Sequence, residues 1–249
     1  MGDLPADLTA ALDAVARVPR LLVTSDFDGT LAPIVAHPSD ARPLPAAADA
    51  LTALAELPDT EAALISGRAL ADLRVLSGLP ASVHLVGSHG AEFASGFTHR
   101  IDPQLLQTIT DTLRAIAADK PGVTVETKPA SVALHVRNAG ESDAEAALAA
   151  AWDAAAGWDA HVTTGKAVLE FAVIDTDKGE AVDILRSEHA ASAVVFFGDD
   201  VTDEKAFRRL DGDDVGVKVG SGDTLARYRV DSPDDVAAAL HHLLQRRRG

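Results

Sequence analysis

The sequence contains no cysteine. That excludes disulfides, thiolate nucleophiles and cysteine-ligated zinc. Aromatic residues make up only 4% of the chain, too few for a platform that stacks single-stranded nucleic acid. Cations are also scarce: 22 Lys and Arg stand against 38 Asp and Glu, a formal net charge of −16. A general nucleic-acid binder has the opposite balance. A phosphorylated small molecule stays admissible, because a metal and a few local cations can reverse the field inside one cleft. The basic tail Arg246-Arg247-Arg248 is short and reads as a solvated helix end. No apolar run approaches the ~20 residues that span a bilayer. The stretch Met1 to Ala6 lacks a basic n-region and an h-region. Ala6 also stands where a myristoylation signal needs Ser or Thr. The expectation is a soluble cytoplasmic protein with neither nucleic-acid nor membrane partner.

What is present is apolar and alternating. With 249 residues and 47% hydrophobic content, the chain can bury a real core in one large domain or two small ones. The run Leu21-Leu22-Val23-Thr24-Ser25 reads as a buried strand and ends in Asp26-Phe27-Asp28-Gly29-Thr30. Two carboxylates at the end of a buried strand are costly unless a cation meets them. A divalent metal is the simplest answer, with one carboxylate for attack and the other for proton transfer. An Asp- and Gly-rich turn fits the same residues.

Helical spacing of Leu8, Leu12 and Val15 marks a lead-in helix before that strand. After it, helices over 46–57 and 69–77 alternate with strands over 61–65 and 84–86. The pattern predicts a parallel sheet with helices on both faces, an α/β Rossmann-like core. The texture changes near residue 97. A helix capped by Asp102, strands over 123–128 and 131–137, a helix capped by Ser142, and strands over 160–163 and 167–173 describe an antiparallel sheet backed by two helices. This α+β segment, 97–172, reads as a cap inserted between core parts 1–96 and 173–249. The parallel pattern resumes with a helix from Lys178 and the strand Ala193 to Phe197. That strand ends in Gly198-Asp199-Asp200-Val201-Thr202-Asp203.

Four signals then fall at strand ends or helix starts: Asp26 and Asp28, Ser66, Lys178, and the Asp199–Asp203 run. If the strands are neighbours, one crevice gathers a nucleophile, an acid/base, a hydroxyl, an ammonium and an acidic cluster. Phosphoryl transfer needs that set, and hard oxygen ligands suit Mg²⁺ at roughly 2.0–2.1 Å. Singly, each signal has a plainer meaning. Ser66 fits a helix cap, Lys178 a surface lysine, Asp203 with Glu204 a helix N-terminus, and Arg68 either a bidentate phosphate contact or a surface arginine.

The chain resembles the haloacid dehalogenase superfamily of phosphatases. Its first motif stands as Asp26-Phe27-Asp28-Gly29-Thr30, its second as Ser66, its third as Lys178 and its fourth as Gly198 to Asp203. Ile65-Ser66-Gly67-Arg68, Gly87-Ser88-His89-Gly90-Ala91-Glu92, Glu126 to Ser131, and Gly165 to Glu170 are similar to the trehalose-6-phosphate phosphatase family. One departure is Asp177, where that family often has Asn before the lysine.

The resemblance implies a Mg²⁺-dependent hydrolase of a sugar phosphate that works through an aspartyl-phosphate, and we expect it to be a monomer. It makes Asp26 the nucleophile, Asp28 the acid/base, and Ser66 and Lys178 the phosphate holders. It assigns the metal to Asp26, the Asp28 carbonyl and Asp199, with Asp203 in support. It assigns substrate contacts to Arg68, His89, Glu126, Lys128, Ser131, Lys166 and Glu170. A solvated sheet face fits Glu126, Lys128 and Ser131 equally well on the residues alone. Other readings are a phosphatase of the same superfamily for sucrose phosphate or mannosyl-phosphoglycerate, and a non-enzymatic switch phosphorylated on Asp.

Overall fold

Five consecutive residues, Leu21–Ser25, form the strand β1, and all five are buried. A strand hidden on both faces belongs at the centre of a parallel sheet, and β1 lies there. The computed structural model describes residues 4–249 except 166 and 176. One compact unit takes in the chain up to Gly96 and again from residue 176 onward; the second spans Phe97–Asp175.

In the first unit, α1 (Ala6–Val15) precedes β1; α2 (Pro45–Ala55), β2 (Thr60–Ile65), α3 (Leu70–Ser77) and β3 (Val83–Val86) follow. Pro45 opens α2 at a position where the missing N–H costs nothing. Gly78 ends α3 in the left-handed conformation typical of helix C-termini. A two-stranded ribbon, β4 (Glu92–Phe93) and β5 (Gly96–Phe97), comes next.

The second unit holds α4 (Pro103–Ala117), β6 (Thr124–Thr127), β7 (Ser131–His135), α5 (Glu141–Ala155), β8 (His161–Gly165) and β9 (Val168–Ala172). Its four strands run antiparallel in the order β6-β7-β9-β8. Ile109 and Leu113 from α4 and Ala147 and Ala151 from α5 pack with Val132, Leu134, Leu169 and Phe171 of the sheet. Asp102 caps α4 by accepting from the backbone N–H of Gln104 and Leu105. The expected Ser142 cap of α5 is corrected: Gly140 holds that place and Ser142 lies inside the first turn. An extended glycine starts the helix without a side-chain acceptor.

Back in the first unit come α6 (Lys178–Glu188), β10 (Ala193–Gly198), α7 (Glu204–Phe207), β11 (Val215–Val219), β12 (Tyr228–Val230) and α8 (Pro233–Arg248). The six parallel strands are ordered β12-β11-β10-β1-β2-β3. The chain leaves β1 toward β2 and β3 on one side and returns to β10, β11 and β12 on the other. The order therefore reverses between β1 and β10, the place where such sheets open a crevice at their carboxyl ends. On one face, α1, α2 and α8 bury Leu8, Leu12, Leu51, Leu54, Leu240 and Leu243 against Val23, Val195 and Leu64. On the other, Ala181, Val182 and Leu185 of α6 meet Ala63, Ile65, Val86, Val194 and Phe196. Among the described residues, no helix is long and apolar enough to cross a membrane.

Candidate active site

Register brings the strand ends level. Ser25 pairs with Phe197 of β10 and with Leu64 of β2, so Asp26 emerges beside Gly198 and Ile65. Its backbone N–H donates to the Phe197 carbonyl at 2.9 Å, which prolongs the β1–β10 ladder one step into the turn. Asp199 and Ser66 each lie one residue further along.

The side chains of Asp26, Asp199, Asp203 and Lys178 converge there. The Lys178 ammonium sits 2.7 Å from one oxygen of Asp26 and 2.8 Å from one of Asp203. All three are almost wholly buried. Lys178 is the first residue of α6, and Asp177 caps that helix by accepting from Glu180 N at 3.0 Å. The lysine is thus aimed by a helix start and not by a flexible loop. Asp203 directly precedes α7, yet its carboxylate makes no capping bond to that helix. One oxygen takes Lys178 and the other accepts from Asp200 N at 2.9 Å. The helix-terminus reading of Asp203 therefore does not explain where its charge goes.

The electrostatics are those of a crowded acidic site. Burial pushes the Asp26 carboxyl well above the usual carboxylate range; Lys178 pulls it back, and the charges of Asp203 and Asp199 add to the rise. Burial, with Asp203 next, lifts Asp199 to about 6. Burial works against the Lys178 charge as well, but Asp203 and Asp26 outweigh it and hold the ammonium above its ordinary range. Three carboxylates around one ammonium leave negative charge uncompensated. One oxygen from each of Asp26, Asp199 and Asp203 lies within 4.8 Å of the others. A hard divalent cation with oxygen ligands fits both the donor set and the charge.

Two glycines make the approach feasible. Gly29 has φ +82°, and a Cβ there would lie 2.1 Å from an Asp199 carboxylate oxygen. A Cβ on Gly198 would lie 2.4 Å from the Asp203 carboxyl carbon. Gly29→Ala combines backbone strain with an overpacked contact and is expected to cost about 1–3 kcal/mol. A lowered melting temperature checks it, and an unchanged one would show that Asp199 has room to move.

The remaining expected residues fall into separate groups. Asp28 is held by Arg68, whose Nε and Nη2 donate to its two oxygens at 2.6 and 2.7 Å. Arg68 also donates to the Pro38 carbonyl and lies over the Phe27 ring. Its guanidinium is therefore on a carboxylate, and the sequence pattern did not suggest that pairing. Ser66 is buried, and its hydroxyl accepts from Arg68 N at 3.2 Å. His89, with φ +58°, donates its N–H to the Ser66 carbonyl, and Ser88 donates to the Arg68 carbonyl. The turn Ser88–Gly90 is thereby zipped onto the Ser66–Arg68 loop. Glu92 fastens both, accepting from Ser88 Oγ and from Leu70 N at the start of α3.

In the second unit, Glu170 accepts from Lys128 Nζ at 2.9 Å and from Ser131 Oγ at 2.6 Å. Glu126 pairs with His135 at 2.8 Å, and it and Glu170 flank Ala133 from the two neighbouring strands. Lys166 lies outside the described residues.

Lys218 was not anticipated from sequence. It is 4% exposed in β11, and its ammonium donates to the backbone carbonyl of Asp199. A lone lysine in Val215-Gly216-Val217-Lys218-Val219 is the available signal, since an apolar strand seldom keeps one without a partner.

A sequence description of the family named Trehalose-phosphatase matches residues 24–234. Among curated proteins, the trehalose-phosphate phosphatase of Mycobacterium marinum is 38% identical over 256 residues, covering 93% of this chain and 65% of that protein. The trehalose-phosphate phosphatase of Mycobacterium avium is also 38% identical, over 268 residues, covering 97% and 66%. This chain thus spans just under two thirds of the length of these relatives. Among solved structures, the C-terminal domain of the C. albicans trehalose-6-phosphate phosphatase shares the fold. It superposes with a TM-score of 0.81 at 24% identity, covering 98% of each chain. By the motif-bearing stretch from residue 24 to residue 234, the chain belongs to the trehalose-phosphatase family.

Proposed function

We propose that this protein hydrolyses trehalose 6-phosphate to trehalose and inorganic phosphate through an aspartyl-phosphate on Asp26. The observation that carries the reading is the buried carboxylate of Asp26, paired with Lys178 at 2.7 Å where the sheet order reverses, in a chain of the trehalose-phosphatase family.

An Asp26 oxygen attacks phosphorus, and the bond from phosphorus to the sugar oxygen breaks. Asp28 gives its proton to the departing sugar oxygen. Asp28 then takes a proton from water as that water attacks the acyl phosphate, which frees Asp26 and releases phosphate. Lys178 favours the ionised form of Asp26 against the effect of burial and then meets the phosphoryl oxygens, together with the Ser66 hydroxyl. Arg68 fixes the Asp28 carboxylate through both oxygens, and each oxygen keeps a second lone pair that can carry the proton. Asp26, Asp199 and the Asp28 carbonyl would hold Mg²⁺, with Asp203 behind them. The ion's chemistry is to neutralise charge developing on the phosphoryl oxygens.

For the sugar, we propose the Lys128–Ser131–Glu170 cluster together with Glu126, His89 and Lys166. Ammonium, hydroxyl and carboxylate groups donate to and accept from sugar hydroxyls. Phosphate release from a panel of sugar phosphates tests the assignment; a better substrate than trehalose 6-phosphate would overturn it. Lys128→Met should raise KM for trehalose 6-phosphate by about 10–100-fold, the worth of a hydrogen bond to a charged group. Hydrolysis of a small phosphate ester should barely change. Equal losses on both would remove the cluster as a sugar reader.

A further inference from the structure

Three residues that the proposed phosphatase chemistry does not use meet at the opposite margin of the sheet. Glu61 is the second residue of β2 and His84 the second of β3. Period-two alternation puts Glu61 on the face of Ala63 and Ile65, and His84 on the face of Val86. That is the face α6 covers. His189 follows α6 directly as its C-cap residue.

The Glu61 carboxylate lies between the two imidazoles. One oxygen is 2.9 Å from His84 Nε2 and the other 3.6 Å from His189 Nδ1. One donor atom from each residue lies within 4.8 Å of the others, and the two rings are 4.6 Å apart. We propose that Glu61, His84 and His189 form a second metal site, one for a borderline transition cation such as Zn²⁺.

The donor chemistry separates it from the catalytic cluster. Two imidazoles and one carboxylate suit Zn²⁺, whereas three carboxylates suit Mg²⁺. The spacing also fits. Zinc–ligand bonds of about 2.0–2.2 Å in a tetrahedron put neighbouring donors roughly 3.3–3.5 Å apart; the two Glu61 oxygens stand 2.9 and 3.6 Å from the two ring nitrogens, so small side-chain shifts reach that spacing. All three side chains are partly exposed, at 40%, 36% and 23% for Glu61, His84 and His189, so a fourth position faces solvent. Without a metal, the His84 ring hydrogen-bonds the carboxylate at 2.9 Å and the His189 ring stands 3.6 Å from its other oxygen; a cation takes its place between them.

Arg20 borders the group without entering it. Its guanidinium is engaged by the His189 carbonyl at 3.5 Å and by Asp59 at 4.0 Å. A bound metal ties the end of α6 to β2 and β3. Lys178 lies at the other end of that helix, so the site is a clamp on the element that aims the Asp26 partner.

Chelator-stripped full-length protein, saturated with Mg²⁺, is titrated with ZnCl₂ by calorimetry while melting temperature is followed. One equivalent should bind and raise the melting temperature, and chelator should reverse both. A His84→Ala/His189→Ala variant should lose that equivalent, whereas Asp26→Asn should keep it. Zinc binding that survives in the double variant, or that vanishes in Asp26→Asn, would overturn the site. The unmutated protein gives an independent reading through zinc X-ray absorption. Two imidazole nitrogens and carboxylate oxygen are expected, and an all-oxygen shell would also overturn it.

Discussion

Asp26→Asn should lower phosphate release by about 10⁴-fold or more, the range seen when a covalent nucleophile is removed. It should do so without loosening the fold. The amide fills the same volume and keeps one oxygen to accept from the Lys178 ammonium, which stands 2.7 Å from the native carboxylate. It also takes away a charge that burial, Asp203 and Asp199 all disfavour. In chelator-treated protein the variant should therefore melt no lower than the parent. Mg²⁺ should raise its melting temperature less than it raises the parent's, because one carboxylate of the acidic group is gone. Phosphate-release kinetics and thermal melts with and without Mg²⁺ check the three statements together. Retained turnover would remove Asp26 as nucleophile. A large drop in melting temperature would instead mean that the carboxylate is a structural ion-pair partner first.

The strand ends were legible in the sequence because an apolar run cannot stop in carboxylates without a reason visible at that same place. The burial of Leu21–Ser25 and the turn after it follow from five residues and their neighbours. Lys178 was legible as a helix start; that Asp177 caps this helix, accepting from Glu180 N, emerged only from the structure.

Partnerships across long loops were not legible. Arg68 and Asp28 are 40 residues apart, and no local rule says that a guanidinium near Ser66 folds back onto a carboxylate. Glu126-x-Lys128-x-x-Ser131 reads as one polar set along the chain. Pairing of β7 with β9 brings Glu170 next to Lys128 and Ser131, while β6 on β7 sets Glu126 opposite Ala133, diagonal to the His135 that it pairs with. Lys218 and the Glu61–His84–His189 group were missed for the same reason. The apolar strand marks Lys218 as needing a partner but does not say which, and Glu61, His84 and His189 look like surface charges until the strand order sets them side by side.

Lys178→Met separates the charge on Asp26 from the fold that carries it. The ammonium is 2% exposed and bridges Asp26 and Asp203. Methionine keeps the bulk of the side chain and leaves two buried carboxylates facing each other. Breaking a buried pair from one side costs about 3–5 kcal/mol. At about 2–4 °C per kcal/mol for a chain of this size, the melting temperature should fall by roughly 6–20 °C. Phosphate release should fall by at least about 10²–10³-fold, the worth of one lost cationic donor to a phosphoryl oxygen.

A second substitution makes the two losses come apart. Asp203→Asn on the Lys178→Met background removes one of the opposed charges, so most of the lost stability should return. Activity should not, because no ammonium then reaches either Asp26 or the phosphate. Melting temperatures and phosphate-release rates for the parent, both single variants and the double variant give the coupling directly. If Lys178→Met melts with the parent, the ammonium is not what keeps the carboxylates together. If Asp203→Asn restores activity along with stability, Lys178 holds the fold and does no work on the phosphate.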